Sequence, residues 1–151
     1  MAPSERLATM KLTLPNVAAP VGGYVPAVHS GGFVFTSGQL PFRDGKVVFT
    51  GKVPGEVSME DATEGAALAI LNAVAAAAEA AGGLDNIRRV IRVGVFVNSG
   101  PGFTEQTKVA NGASDLLVKI FGDLGRHARA AIGVAELPLN AAVEVELVVE
   151  V

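Results

Sequence analysis

The alternation that closes the chain constrains its fold more than any other feature. Val143, Val145, Leu147, Val149 and Val151 share one face of an extended segment, leaving Glu144, Glu146 and Glu150 on the other. A period of two with one wholly apolar face predicts a strand in a sheet buried on that side. Residues 89–98, Arg-Val-Ile-Arg-Val-Gly-Val-Phe-Val-Asn, repeat the pattern, with Ile91, Val93, Val95 and Val97 set against Arg92, Gly94 and Phe96. Residues 127–134 form a third such segment. There Ala128, Ala130, Ile132 and Val134 take one face and Arg129, Ala131 and Gly133 the other. The short Leu137-Pro138-Leu139-Asn140 connection predicts that this segment and the last one pair as a hairpin.

Between these strands lie two helical patterns. Ser58-Met59-Glu60-Asp61 is a helix start, a hydroxyl followed by acids in the first turn, and Gly82-Gly83 closes the alanine-rich run behind it. That helix is apolar around most of its circumference, which calls for packing against a sheet through small side chains. A second helix opens near Thr104 with the stripe Val109, Ala113, Leu116, Leu117, Ile120 and Phe121, and ends at Gly122 and Gly125. Upstream, Tyr24–His29 and Phe33–Ser37 read as a hairpin turning at Ser30-Gly31-Gly32, and Lys46–Thr50 as a short strand after the Asp44-Gly45 turn. Residues 1–18, with Pro3 and Pro15, read as an extended arm. The order β-β-β-α-β-α-β-β predicts one α+β domain over residues 1–151, with two helices on one face of a mixed sheet. No third layer is left to cover the other face, so self-association is expected.

Composition excludes several functions. There is no cysteine, hence no disulfide, thiolate ligand or cysteine nucleophile. His29 and His127 are the only histidines and neither sits in ligand spacing with carboxylates, so no metal is expected. A net charge of −3, with Arg88, Arg89 and Arg92 as the nearest thing to a basic cluster, makes nucleic acid an improbable partner. The N-terminus lacks the apolar core of a signal peptide, and the apolar run 66–78 is broken by Asn72, so a membrane partner is not expected and a cytoplasmic protein is.

The candidate chemistry lies in the charges that interrupt the strands. Arg129 stands among small apolar neighbours, where its planar fork has room for a carboxylate guest. Glu144 is its counterpart in the final strand, and the expected hairpin would bring the two together on one face. The same pattern also fits an ordinary solvated ion pair. Tyr24, Ser37-Gly38-Gln39 and Asn111 are further candidates, each with an ordinary alternative as a surface phenol, a turn or a helix-surface amide. Neither a nucleophile elbow, a phosphate loop nor a dinucleotide fingerprint is present.

Four segments in order resemble the YjgF/RidA family of reactive enamine/imine deaminases: residues 19–28 (Ala-Pro-Val-Gly-Gly-Tyr-Val-Pro-Ala-Val), residues 35–41 (Phe-Thr-Ser-Gly-Gln-Leu-Pro), the strand ending Val95-Phe96-Val97, and Arg129 to Glu144. The resemblance implies a chorismate-mutase-like α+β fold, a homotrimer with ligand clefts between subunits, and no cofactor. It implies hydrolysis of 2-aminoacrylate-like enamines and imines to 2-keto acids and ammonia. On this resemblance Arg129 clamps the substrate carboxylate and Glu144 positions or activates water. Tyr24, Ser37, Gly38 and Asn111 line the cleft, and the Ala131 amide helps hold the carboxylate. Three positions depart from the family pattern: Gly23 and His127 stand where proline is usual, and Ala131 where cysteine is common. The stretch between Asn111 and Arg129 is also one residue longer. Endoribonuclease activity, and a non-catalytic trimer binding small carboxylates or a partner protein, are the alternatives.

Overall fold

The computed structural model describes residues 1–17 and 19–151. A five-stranded mixed sheet carries the fold. Its strands are β1 (Ala27–Ser30), β2 (Phe33–Thr36), β5 (Arg89–Asn98), β6 (Ala128–Val134) and β7 (Val143–Glu150). They lie in the order β1-β2-β7-β5-β6, with β5 and β6 parallel and every other pair antiparallel. A separate ribbon joins β3 (Phe42–Arg43) to β4 (Lys46–Val47), so the segment predicted from Lys46 to Thr50 is shorter and stands outside the main sheet.

The expected hairpin between residues 127–134 and 143–151 does not form. β5 lies between them, its neighbours being β6 on one side and β7 on the other. The physical reason is the helix between β5 and β6. It returns the chain to the same end of the sheet, and strands joined by such a crossover pair in parallel beside each other. The last strand then takes the remaining edge of β5.

Two long helices cover one face. In α2 (Met59–Ala81) the Ser58 hydroxyl accepts from the Asp61 amide at 3.1 Å, and Gly82 closes the helix in the left-handed region. An N-cap of this kind stabilises a helix by about 1 kcal/mol. At 23 residues α2 is long and apolar enough to cross a membrane by length and composition. The apolarity serves the core instead: Ala62, Ala66, Ala69, Ile70, Ala73, Val74 and Ala77 are buried in one cluster with Val34, Val145, Leu147 and Val149 of the sheet. From α3 (Gln106–Phe121), Val109, Ala113, Leu117 and Ile120 join the same core. In β5 a bulge between Val90 and Arg92 shifts the alternation, so Val90 takes the core position that the sequence assigns to Ile91.

The two helices touch at Gly112. A Cβ there would fall 2.0 Å from the Thr63 carbonyl oxygen of α2, so only glycine permits this crossing. The N-terminal arm also differs from expectation, because Pro3–Thr9 form a third helix, α1, rather than extended chain. Proline at its first position is compatible with a helix start. The Ser4 amide and hydroxyl both donate to Asp85, at 2.9 and 2.6 Å, which holds α1 in place and lowers the Asp85 pKa.

Among the described residues no helix covers the opposite sheet face. Phe33, Phe35, Val28 and Ile132 lie on it, and Phe35 and Ile132 are each nearly half exposed.

Candidate functional site

Register decides which face each candidate takes, because paired residues share a face. Arg129 pairs with Val93, which is fully buried beneath the helices. Glu144 pairs with Phe96 on the uncovered face. The two charges therefore point to opposite sides of the sheet, two strand spacings or about 10 Å apart across it. The single-faced pair expected from the hairpin is not present. The candidates fall into two clusters instead.

The first cluster lies at the edge of the sheet under α3. Arg129 Nη1 donates to Asn111 Oδ1 at 2.8 Å and to Ser114 Oγ at 3.1 Å. Both bonds engage one terminal nitrogen, and Nη2 and Nε carry no side-chain partner among the described residues. One edge of the guanidinium is thus held, and the other retains two parallel donors. Asn111 and Ser114 are three apart on α3, hence on one helix face. Behind Ser114 stands His127, whose Nε2 is 2.9 Å from the Ser114 hydroxyl and whose Nδ1 is 2.6 Å from the Gly125 carbonyl. A cavity of about 250 Å³ beside this group is lined by Ser114, Asp115, Val118, Arg126, His127 and Arg129. Ala131, two residues on from Arg129, pairs with Val95 and turns its methyl toward the core. Its strand, β6, is an outer strand of the sheet, so part of its backbone faces outward.

The second cluster surrounds Glu144. Tyr24, Gly38, Gln39, Leu40, Leu139 and Glu144 line a cleft of about 380 Å³ together with neighbouring prolines. Gln39 exchanges two backbone bonds with Val145, at 2.7 and 3.0 Å, which lays the Gly38 backbone against the glutamate. A Cβ at position 38 would fall 2.8 Å from Glu144 Oε2, so only glycine lets the carboxylate sit there. Glu144 is partly buried and its pKa is raised, first by loss of solvent and then by repulsion from Glu146. Glu146 itself has Arg92 at 3.3 Å. The Leu139 end of the cleft is fixed from below by buried Asn98, which donates to the Ala141 carbonyl at 3.1 Å and accepts from Lys52 at 3.1 Å. Ser37 does not line this cleft. Its hydroxyl donates to the Val25 carbonyl at 2.6 Å and so ties the segment carrying Tyr24 to β2.

Ser114 and His127 were not among the residues nominated as forming the site. The signal was available in their spacing: Ser114 follows Asn111 by one helical turn, and His127 precedes Arg129 by one strand period. Polar residues at those offsets from a nominated pair share its face.

The fold and the two clusters define an α+β domain of chorismate-mutase-like type carrying an arginine held along one guanidinium edge and a partly desolvated glutamate. The chain belongs to the YjgF/RidA family: residues 4–151 match the family described as "YjgF/chorismate mutase-like, putative endoribonuclease". Protein TCP17 of Trypanosoma cruzi is 45% identical over 148 residues, 97% of this chain and 92% of that protein. A Shewanella oneidensis protein, described as a putative endoribonuclease, has a crystal structure that superposes with a TM-score of 0.95 at 36% identity, covering both chains completely. The structure of Escherichia coli TdcF with bound serine superposes with a TM-score of 0.61 at 25% identity, over 89% of this chain and 93% of that one.

Proposed function

We propose that the protein hydrolyses short-lived enamines and imines of amino-acid origin to 2-keto acids and ammonia, in a cleft completed between adjacent copies in a homotrimer. The observation that carries this reading is the division of the site. Arg129 has one guanidinium edge fixed by Asn111 and Ser114 and the other available, while Glu144 is desolvated on the far face. A ligand small enough for one cleft reaches both only if a second chain supplies one of them. The uncovered apolar face bearing Phe33, Phe35 and Ile132 favours such packing. Bound serine in TdcF supports an amino-acid-sized ligand.

The chemistry needs no covalent intermediate. Arg129 holds the substrate carboxylate through two parallel charged hydrogen bonds and so fixes the adjacent carbon. An enamine first takes a proton from solvent on its terminal carbon to become the iminium, whose C=N carbon is electrophilic. Water adds there, its proton passing to Glu144 as the C–O bond forms. Glu144 returns that proton to nitrogen, and as the C–N bond breaks the hydroxyl proton passes to the Glu144 carboxylate and on to solvent, so that ammonia leaves and the carbonyl of the 2-keto acid remains. A carboxylate with a raised pKa suits both transfers better than one held strongly ionised.

A second reading, RNA cleavage, follows from the endoribonuclease description of the family and of the Shewanella protein. The net charge of −3 weighs against it. The test generates imines in situ with an amino-acid oxidase and follows keto-acid release with wild type and Arg129→Ala. Acceleration by wild type alone is expected. No acceleration across a broad panel would move the assignment to a trimer that binds carboxylates without turning them over, and cleavage of RNA that depends on Glu144 would favour the second reading.

A further inference from the structure

The hydrogen bonds of His127 have only one consistent direction when the ring is neutral. The Gly125 carbonyl can only accept, so Nδ1 carries the proton and donates across 2.6 Å. Nε2 is then an acceptor, and the Ser114 hydroxyl must donate to it across 2.9 Å. The Ser114 oxygen in turn accepts from Arg129 Nη1 at 3.1 Å. Every donor meets an acceptor, and the serine hydrogen is consumed inside the protein.

Adding a proton to Nε2 reverses one link. The ring now donates to the Ser114 oxygen, which still accepts from Arg129, and the hydroxyl hydrogen is released to turn away from the ring. Two changes follow at the guanidinium: a second positive charge arrives two residues before it in the chain, and a hydroxyl donor becomes available beside it. Both favour an anion. The charged groups around the ring are Asp115 from α3, Arg126 and Arg129 on either side of it in sequence, and Asp123 from the preceding turn, which pairs with Arg126 at 3.9 Å. Histidine is the side chain whose charge ordinarily changes between pH 5 and 8.

We infer that His127, acting through Ser114, is a positioning residue for Arg129 that couples uptake of one proton to tighter binding of the ligand carboxylate. The inference rests on the proposal that Arg129 is the carboxylate clamp.

The test is calorimetric titration of the full-length protein with pyruvate between pH 5.5 and 8, a range in which pyruvate stays ionised. Wild type should bind on the order of fivefold tighter at the acid end, in line with ordinary coupling between linked sites. His127→Gln keeps an acceptor for Ser114 but cannot titrate, so the part of the pH dependence that comes from the ring should vanish. Ser114→Ala should retain only the charge effect and fall between the two. Because linkage is reciprocal, wild type should also take up more protons on binding than His127→Gln, read in buffers of different ionisation enthalpy. Glu144 contributes equally to both proteins, so it cancels from the comparison. Identical pH profiles for wild type and His127→Gln would overturn the relay while leaving the clamp intact. Arg129→Ala binding pyruvate as well as wild type, or no binding by wild type at any pH, would overturn the clamp itself and the relay with it.

Discussion

The two halves of the site solve opposite electrostatic problems. Arg129 is held along one edge by hydrogen bonds: Asn111 and Ser114 fix one nitrogen, and His127 and Gly125 fix the serine. Glu144 is placed where its charge is resisted, by lost solvent and by Glu146, with the backbone at Gly38 pressed against it. A clamp gains from being held in one geometry, since each fixed donor lowers the entropy lost on binding. A group that moves protons gains from a pKa shifted toward the working pH, and desolvation moves a carboxylate in that direction at some expense of stability. One strand, β5, separates the two regimes and keeps the arginine from quenching the glutamate.

The sharpest way to break this comparison is to remove one half from each of two chains. Arg129→Ala and Glu144→Gln should each be almost inactive, the second by about 10²–10⁴-fold in kcat, as for loss of a positioned acid/base. If the halves come from neighbouring copies, refolding the two variants together in equal amounts restores about a quarter of wild-type turnover, the chance that a given cleft receives both intact groups. Mixtures as inactive as the separate variants would mean that one chain supplies both.

The support beneath the clamp can be tested next. Gly112→Ala places a methyl against the Thr63 carbonyl, where neither helix backbone can yield cheaply. Overpacking of this kind should cost about 3 kcal/mol, or roughly 10 °C in Tm for a chain of this size. Asn111 and Ser114 ride on the same helix, so a folded remnant should lose ligand affinity as well. A melting temperature within a degree or two of wild type would show that the helices do not cross this closely.

Gly38→Ala probes the other half with little expected loss of stability, because a glutamate side chain can swing aside more easily than a backbone. The carboxylate would leave its position, and a displacement of about 1 Å can reduce kcat by roughly 10²-fold. Circular dichroism and Tm should remain near wild type. A fall in Tm as large as that of Gly112→Ala would place the strain in the backbone instead.

How much of this was readable beforehand follows from the range of the signals. The alternation in residues 143–151 and the Ser58 and Gly82 caps act within a few residues, and strand, helix and boundaries appear where those patterns place them. The core list follows from the same periods. The faces of Arg129 and Glu144 could not be read locally, because they depend on which strand lies next to β6. Alternation fixes what shares a face within a strand, not between strands. Helix α1 has seven residues, too few for a period to show, and its hold comes from Asp85 far along the chain. The shifted core in β5 required the bulge at Val90–Arg92, which has no glycine to mark it.

The smallest effect sharpens the claim that Glu144 is resisted rather than held. Its pKa in the folded protein lies above the value it has in the open chain. Between those two values the folded state binds more protons than the unfolded one, so stability falls as pH rises through that window. Above the window the full penalty of a charged, desolvated carboxylate is present; below it the group is neutral in both states and the penalty is gone. Glu144→Gln, neutral at every pH, should therefore melt slightly higher than wild type at pH 7.5, with the gain shrinking as pH falls toward 4. Thermal melts of the two proteins across that range measure it directly. A gain that is absent at pH 7.5, or one that grows on acidification, would mean that Glu144 is stabilised as a carboxylate. The contrast with Arg129 would then collapse into two satisfied charges.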